Sequence, residues 1–342
     1  GDRYGPPPLS AVEQGALRAL ADQPLAVPEM PEGARLNLPD WALPGLSARF
    51  GADLAAEAAA MEAEAPLDLR ANGLRTTRDA AQAALAAEGI ETAPTPLSPW
   101  GLRVPARRPV TNTAAYREGL VEVQDEGSQI IAALVDARPG LRVCDLCAGA
   151  GGKTLAMAAV MGNRGRITAC DVNAPRLEGA ARRFRRAGVD NAERHLLVAG
   201  DKWAKRRAGQ FDRVLVDAPC TGSGTWRRNP DARTRTGVED LSALVGKQRE
   251  ILFMSAELVR PGGLLVYATC SLLPEEDEGQ VTDFLAHRAD FAVLPLAEAW
   301  AQAGLRAPVP EGAAQGPFLL LSPARHGTDG FFAAVLRRGP PG

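Results

Sequence analysis

From Leu141 onward the chain alternates short apolar runs with helical stretches, and that rhythm leaves few folds open. Leu141–Leu146, Arg166–Cys170, Leu196–Val198, Phe211–Val216 and Leu264–Thr269 each read as a buried strand. They are short, unbroken and bounded by turn residues. Between and after them lie an apolar helix running to about Met161, a helix from Pro175 to Ala187, a long helix from Val238 to Val259 and one from about Glu276 to His287. In the second of these, Leu177, Ala181 and Phe184 share one stripe while most of the arginines point away. Strands separated by helices make a mostly parallel sheet covered on both faces. Such sheets take ligands beyond the carboxyl ends of their strands. Residues 318–321 and 331–337 read as a late antiparallel pair. The expected fold class is therefore α/β.

The chain upstream is different. Prolines at 24, 28, 31, 39 and 44 interrupt a helical segment over residues 1–60, in which Ser10 is placed to cap a helix ending near Leu20. In residues 61–110, Leu67–Arg70 alternates like a strand, Asn72–Gly73 turns the chain, and Thr77 caps a helix that Gly89 ends. Three parts are expected: a helical segment over 1–60, a small α/β domain over 61–120 and a large α/β domain over 121–339. The chain opens at Gly1 rather than methionine, so 1–60 is expected to be the remainder of a longer N-terminal domain.

Composition excludes several classes. With 46% hydrophobic and 23% charged residues the chain can fill a core, which rules out extended disorder. No apolar run reaches the roughly 18 residues of a bilayer span, so no membrane partner is expected. Cys144, Cys147, Cys170, Cys220 and Cys270 are odd in number and widely spaced, which fits reduced thiols in the cytoplasm rather than a disulfide framework. Cys144 and Cys147 have the spacing of half a zinc site, but no second pair follows, and no metal is expected. The net charge of −2 hides an asymmetry: residues 1–100 carry 7 basic and 14 acidic residues, the remainder 32 and 27. Of the basic residues 35 are arginine, whose planar fork suits phosphates.

The first strand runs into Asp145–Leu146–Cys147–Ala148–Gly149–Ala150–Gly151–Gly152–Lys153, a glycine-rich turn that opens a helix. Glycine lets a backbone approach a ligand closely, and a helix start offers unpaired N–H groups. The spacing is neither the dinucleotide fingerprint nor a P-loop, whose first glycine would fall on Cys147. Asp171 ends the second strand, where a carboxylate can accept both hydroxyls of a ribose, and Asp201 follows the third, within reach of an adenine edge. A nucleoside cofactor other than NAD or ATP fits this pattern.

Two further strand ends fall on the same side. The fourth gives Asp217–Ala218–Pro219–Cys220–Thr221–Gly222–Ser223–Gly224 and the fifth Tyr267–Ala268–Thr269–Cys270–Ser271. Adjacent strand tips bring two thiols and Asp217 to one pocket. A buried cysteine is commonly only a small hydrophobe; two at such tips beside a carboxylate suggest chemistry. A thiolate adding to C6 of a cytosine makes C5 nucleophilic enough to take a methyl group, and Asp217 is placed to bind the N3/N4 edge.

Together these motifs resemble the Sun-type, RsmB-like (Nop2/Sun) RNA cytosine-C5 methyltransferases, with V-Q-D-E-G-S at 123–128, R-R-N-P at 227–230 and H-G-T-D-G-F-F at 326–332 in support. The resemblance covers about residues 65–338. It implies a Rossmann-like class I methyltransferase with a mostly parallel seven-stranded sheet, preceded by a small RNA-binding-like domain. It implies S-adenosylmethionine as cofactor, held by Cys147, Ala148, Gly149, Ala150, Gly151, Gly152 and Lys153 with Asp171, Asp201 and Asp217. It assigns Cys270 as nucleophile and Cys220 to product release; spacing alone does not choose between them. The family loop usually reads C-A-A-P-G-G-K, and Gly149–Ala150 here replaces Ala-Pro. The partner implied is RNA, foremost 16S ribosomal RNA with transfer RNA as an alternative, acted on by a monomer. Candidate RNA contacts are Arg103, Arg107, Arg108, Arg227 and Arg228, with Trp226 as a stacking platform; Lys202, Lys205, Arg206 and Arg207 form a further basic cluster. A methyltransferase acting on another substrate and a non-catalytic RNA-binding assembly factor are the other readings.

Overall fold

A computed structural model describes residues 7–21, 23–24, 27–105 and 108–340. Strands β1 (Leu67–Ala71), β2 (Ala93–Pro94), β3 (Gly101–Val104) and β4 (Val121–Val123) form an antiparallel sheet in the order β2-β3-β1-β4. The helix Arg78–Ala87 packs on it, because Ala81 and Leu85 share its inner face with Leu69, Leu102 and Val121. The Thr77 hydroxyl accepts from the Ala80 N–H at 3.2 Å and fixes where that helix begins.

The large sheet holds β5 (Arg142–Leu146), β6 (Arg166–Asp171), β7 (Ala192–Leu196), β8 (Phe211–Asp217), β9 (Val259–Thr269), β10 (Phe291–Val293), β11 (Ala314–Gln315), β12 (Phe318–Leu321) and β13 (Phe331–Arg338). Their order is β11-β12-β13-β9-β8-β5-β6-β7, with β10 on the end of β13. Among the described residues the sheet thus has nine strands, not seven. Strands β5 to β9 run parallel, and the other four pair antiparallel. The chain leaves β5 toward β6 and β7, then returns to β8 on its other side. That reversal is the switch point at which a cleft opens above the strand tips.

Two strands differ from the sequence reading. β7 is Ala192–Leu196, not Leu196–Val198: an edge strand half in water needs no apolar run, and its Glu193 and Arg194 are exposed. β9 starts at Val259, since Pro261–Gly262–Gly263 forms an irregularity opposite Asp212 and does not end the strand.

The helices Glu32–Arg35, Leu43–Phe50 and Leu54–Glu62 lie in a segment packed against the large sheet's domain. Leu38, Leu46, Phe50, Leu54 and Met61 share a core with Trp226, Leu272, Leu273 and Phe284. Arg49 donates to the Leu272 carbonyl at 2.6 Å and pairs with Asp277 and Glu278, two residues placed just beyond the tip of β9. The helix Ala11–Leu20 carries the expected Ser10 cap and has no buried residue.

Candidate active site

The turn after β5 is shaped by close approach. Gly151 has φ +77°, and a Cβ there would meet the Phe184 ring at 2.6 Å. The turn is held to the next strand by Ala148 N–H donating to the Cys170 carbonyl at 2.8 Å. Gly149 N–H donates to Asp171 Oδ2 at 2.7 Å, and Asn173 N–H to Oδ1 at 2.8 Å. The Asp171 carboxylate is thereby fixed on the wall of a cavity of about 470 Å³. Cys147, Asp171, Arg176, Asp217, Lys247, Met254, Cys220 and Cys270 line it. Its lining joins the Asp171 carboxylate, exposed Val172 and half-buried Leu197 with the two thiols.

Lys153 opens the helix Gly152–Met161 and places its Nζ 2.6 Å from Asp217 Oδ2 at the tip of β8. Burial opposes the ammonium charge, but the Asp217 carboxylate outweighs it and holds Lys153 above its ordinary range. Asp145 lies beneath them, where burial pushes its carboxyl up to about 7 although the Thr154 hydroxyl donates to it. Its second oxygen, Oδ1, is buried without a hydrogen-bond partner.

Cys220 and Cys270 stand with their sulfurs 3.4 Å apart. Their backbones are tied together: Ala218 N–H donates to the Ala268 carbonyl at 2.8 Å, and Gly224 N–H to the Cys270 carbonyl at 3.0 Å. Gly224 has to be glycine, because a Cβ would lie 2.5 Å from the Gly330 carbonyl oxygen. The Ser223 hydroxyl faces that of Ser271 at 3.1 Å and accepts from Leu272 N–H at 2.8 Å. The hydrogen bond with Cys270, and then burial, push the Cys220 thiol well above its usual range. Burial, followed by the nearby carboxylates, does the same to Cys147, whose backbone holds φ +69°.

A second cavity of about 380 Å³ shares Arg176 and Asp217 with the first and adds Gln124, Asp125, Ser128, Asp145, Lys153, Arg183, Arg228 and Asp329. A buried carboxylate and a glycine turn thus adjoin a paired thiol site and a cleft lined by arginines and aspartates alike.

The model of the "16S rRNA methyltransferase RsmB/F" family matches residues 132–337, and that of the "Methyltr_RsmF/B-like, ferredoxin-like domain" matches residues 38–111. The chain belongs to the RsmB/F methyltransferase family. Ribosomal RNA small subunit methyltransferase B of Pseudomonas putida is 34% identical over 96% of this chain and 72% of its own length. The enzyme of that name from Pasteurella multocida is 34% identical over 80% of this chain and 59% of its own. A methyltransferase homolog from Pyrococcus horikoshii superposes with a TM-score of 0.75 at 29% identity, over 90% of this chain and 97% of that one. The chain spans from about half to 72% of the length of the curated relatives it matches. Residues 132–337 form a Rossmann-like methyltransferase domain of that family.

Within this RsmB/F member the structure brings together Cys147, Asp171, Asp217, Cys220 and Cys270 on the first cavity and Ala148, Ala150, Gly152, Lys153 and Asp217 on the second, with Gly149 and Gly151 forming the turn. Asp201 is outside both linings; it faces His195 Nε2 at 2.8 Å and accepts from Trp203 N–H at 2.8 Å. Trp226 is no stacking platform. It is fully buried, edge-on to Trp41 with ring centroids 6.2 Å apart. Arg227 is likewise withdrawn, buried at 5% side-chain exposure against Asp329. Arg228 bonds Asp125 and Asp329 yet still borders the second cavity. Arg103 is bound to Asp68 at 2.7 Å, and Arg108 is exposed. Arg107 lies outside the described residues. Sequence reading missed Arg176, Arg183 and Lys247. Arg176 had a signal: it follows Asp171 by five residues, in the first turn of the helix Ala174–Ala187.

Proposed function

We propose that this chain methylates C5 of a cytosine in RNA, foremost small-subunit ribosomal RNA, through a covalent bond between Cys270 Sγ and C6 of the base. The observation that carries this reading is the pair of thiols 3.4 Å apart lining the cavity that Asp171 also lines. S-adenosylmethionine, when bound, supplies an electrophilic methyl group. Asp171 fits its ribose, and the turn from Cys147 to Lys153 fits its amino-acid end.

The protein's own residues do the rest. Cys270 as thiolate adds to C6. Asp217, paired with Lys153, meets the N3/N4 edge and favours the protonated ring, which makes C6 electrophilic, so that addition of the thiolate leaves C5 as a nucleophilic enamine carbon. After methylation the C5 proton leaves, its electron pair re-forms the C5–C6 double bond, and the C6–Sγ bond breaks. The cleft bordered by Arg176, Arg183 and Arg228 supports passage of the RNA strand, since a cytosine has to leave its stack before C6 is exposed. The curated relatives named for small-subunit ribosomal RNA support that substrate. We further propose that the small sheet's domain is RNA-binding-like and ends with β4, since Val121–Val123 pairs with β1 and moves the expected boundary at 120/121 downstream. The catalytic domain follows it to residue 339, and 1–60 is a helical lead-in, the whole working as a cytoplasmic monomer.

RNA carrying 5-fluorocytosine tests the chemistry, because fluorine at C5 blocks release. The full chain with cofactor is expected to give a denaturation-resistant RNA complex that Cys270→Ala abolishes and Cys220→Ala retains. If the complex survives in Cys270→Ala and disappears in Cys220→Ala, the nucleophile is Cys220.

A further inference from the structure

Two thiols at 3.4 Å raise a question that their spacing leaves open: what makes them act differently? The surroundings of Cys220 answer it. The peptide on each side of Cys220 is gripped by side chains from elsewhere in the chain. Gln248, on the helix Val238–Leu258, donates through Nε2 to the Pro219 carbonyl at 2.9 Å and to Glu276 Oε1 at 2.9 Å. Glu276 accepts from Thr221 N–H at 2.8 Å on Oε1 and from the Thr221 hydroxyl at 2.5 Å on Oε2. Its own carbonyl accepts from the Tyr267 hydroxyl at 2.6 Å, which anchors it to β9 three residues before Cys270. Glu276 and Gln248 are fully buried, and among the described residues Glu276 has no cationic partner within ion-pair distance. A buried carboxylate with only neutral donors around it is costly to place, so its place at the Cys220 loop asks for a use.

We propose that Glu276, working with Gln248, is a positioning residue that holds Cys220 as a neutral thiol beside Cys270 for the release step. The inference rests on the covalent reading above. In that step the C5 proton passes to solvent, the electron pair forms C5=C6, and Cys270 Sγ departs as a thiolate. The Cys220 S–H, at 3.4 Å, donates a hydrogen bond to the departing sulfur, and no further oxidant or reductant is needed. The hydrogen bond with Cys270 and burial keep Cys220 a neutral donor, and the bonds from Thr221 to Glu276 hold its loop so that the S–H stays aimed at Cys270 Sγ.

The test uses the full chain with S-adenosylmethionine and two RNAs, one with 5-fluorocytosine and one with ordinary cytosine. Glu276→Ala is expected to form the fluorocytosine complex to within about twofold of the parent. With ordinary cytosine it should turn over at least about tenfold more slowly, a barrier change of about 1.4 kcal/mol, and should accumulate a denaturation-resistant complex. Glu276→Gln keeps part of the hydrogen bonding and should recover turnover partway. If Glu276→Ala loses its cooperative melt, Thr221→Val decides by the same readouts, with a smaller slowing and the same accumulation expected. Turnover that falls with no accumulated complex, or in step with fluorocytosine capture, overturns the proposal. Failure of the parent itself to capture fluorocytosine RNA overturns the covalent reading instead.

Discussion

Lys153 and Asp217 show how one contact joins stability to chemistry. The ammonium is 10% exposed and the carboxylate 31%, so the pair lies between a surface ion pair, worth up to about 1 kcal/mol, and a buried one, whose breaking costs about 3–5 kcal/mol. Asp217→Asn should therefore cost roughly 2 kcal/mol in urea unfolding, and should lower turnover at least about 100-fold by removing the carboxylate from the base edge. Turnover within tenfold of the parent would remove Asp217 from the chemistry. At this scale the sequence was legible where local pattern fixes position. Cys220, Cys270, Asp171 and Asp217 stand at strand tips because the apolar run before each of them ends there. Gln248 and Glu276 were not legible, since their bonds to the Cys220 loop span 29 and 55 residues of chain. Trp226 was misread for the same reason: its burial depends on Trp41, which no local window contains.

At the scale of elements, the loop Thr221–Gly224 is the joint between β8, β9 and the turn before β13. Gly330 N–H donates to the Gly224 carbonyl at 2.8 Å, while Gly224 N–H holds the Cys270 carbonyl. A methyl group at 224 would meet the backbone of Gly330 at 2.5–2.7 Å, and backbone cannot turn aside as a flexible side chain can. Gly224→Ala should cost about 1–3 kcal/mol, lower the melting temperature by several degrees, and depress turnover by more than the stability loss accounts for, because Cys270 moves with the loop. Gly246→Ala is the matched control. That glycine is on the helix Val238–Leu258 with nothing within 4 Å of its Cβ position, and the change should hold or raise the melting temperature. Equal losses in both variants would refute the joint. The helices and β5, β6 and β8 were readable because each buries a continuous apolar run. β7 was displaced in the reading because an edge strand is half in water and keeps its polar residues, and the start of β9 was hidden by an irregularity that residues 260–263 absorb.

Across the whole molecule, the small sheet's domain is bound to the large one by ion pairs and buried hydrogen bonds as well as by Leu97 and Trp100, which pack on the large domain's core. Asn72 donates to the carbonyls of Gly119 and Ala187 at 2.8 Å each, Glu122 pairs with Arg183 and Arg186, and Arg103 bridges Asp68 to the Gly327 carbonyl. Asp125, in the segment between the two domains, shares Arg228 with Asp329. Burial, and then the charges of Asp329 and Asp68, push the Asp125 carboxyl up to about 6, against the pull of Arg228. The folded protein therefore binds this proton more readily than the unfolded chain, whose carboxyl keeps its value of 3.8. Between those two values the native state holds more protons, so stability falls as pH rises through the window and levels off above about 7. A shift of about two pKa units is worth at most about 3 kcal/mol. Asp125→Asn cannot titrate. It loses the Arg228 pair as a constant offset, but its urea-unfolding free energy should lack that decline between pH 4 and 7. The difference between variant and parent should then drift in favour of the variant by up to about 3 kcal/mol, while carboxyls that do not act on Asp125, such as Asp145, cancel because both proteins keep them. Parallel curves for the two proteins would mean that Arg228 holds Asp125 ionised throughout, and that the joint between the domains does not respond to pH.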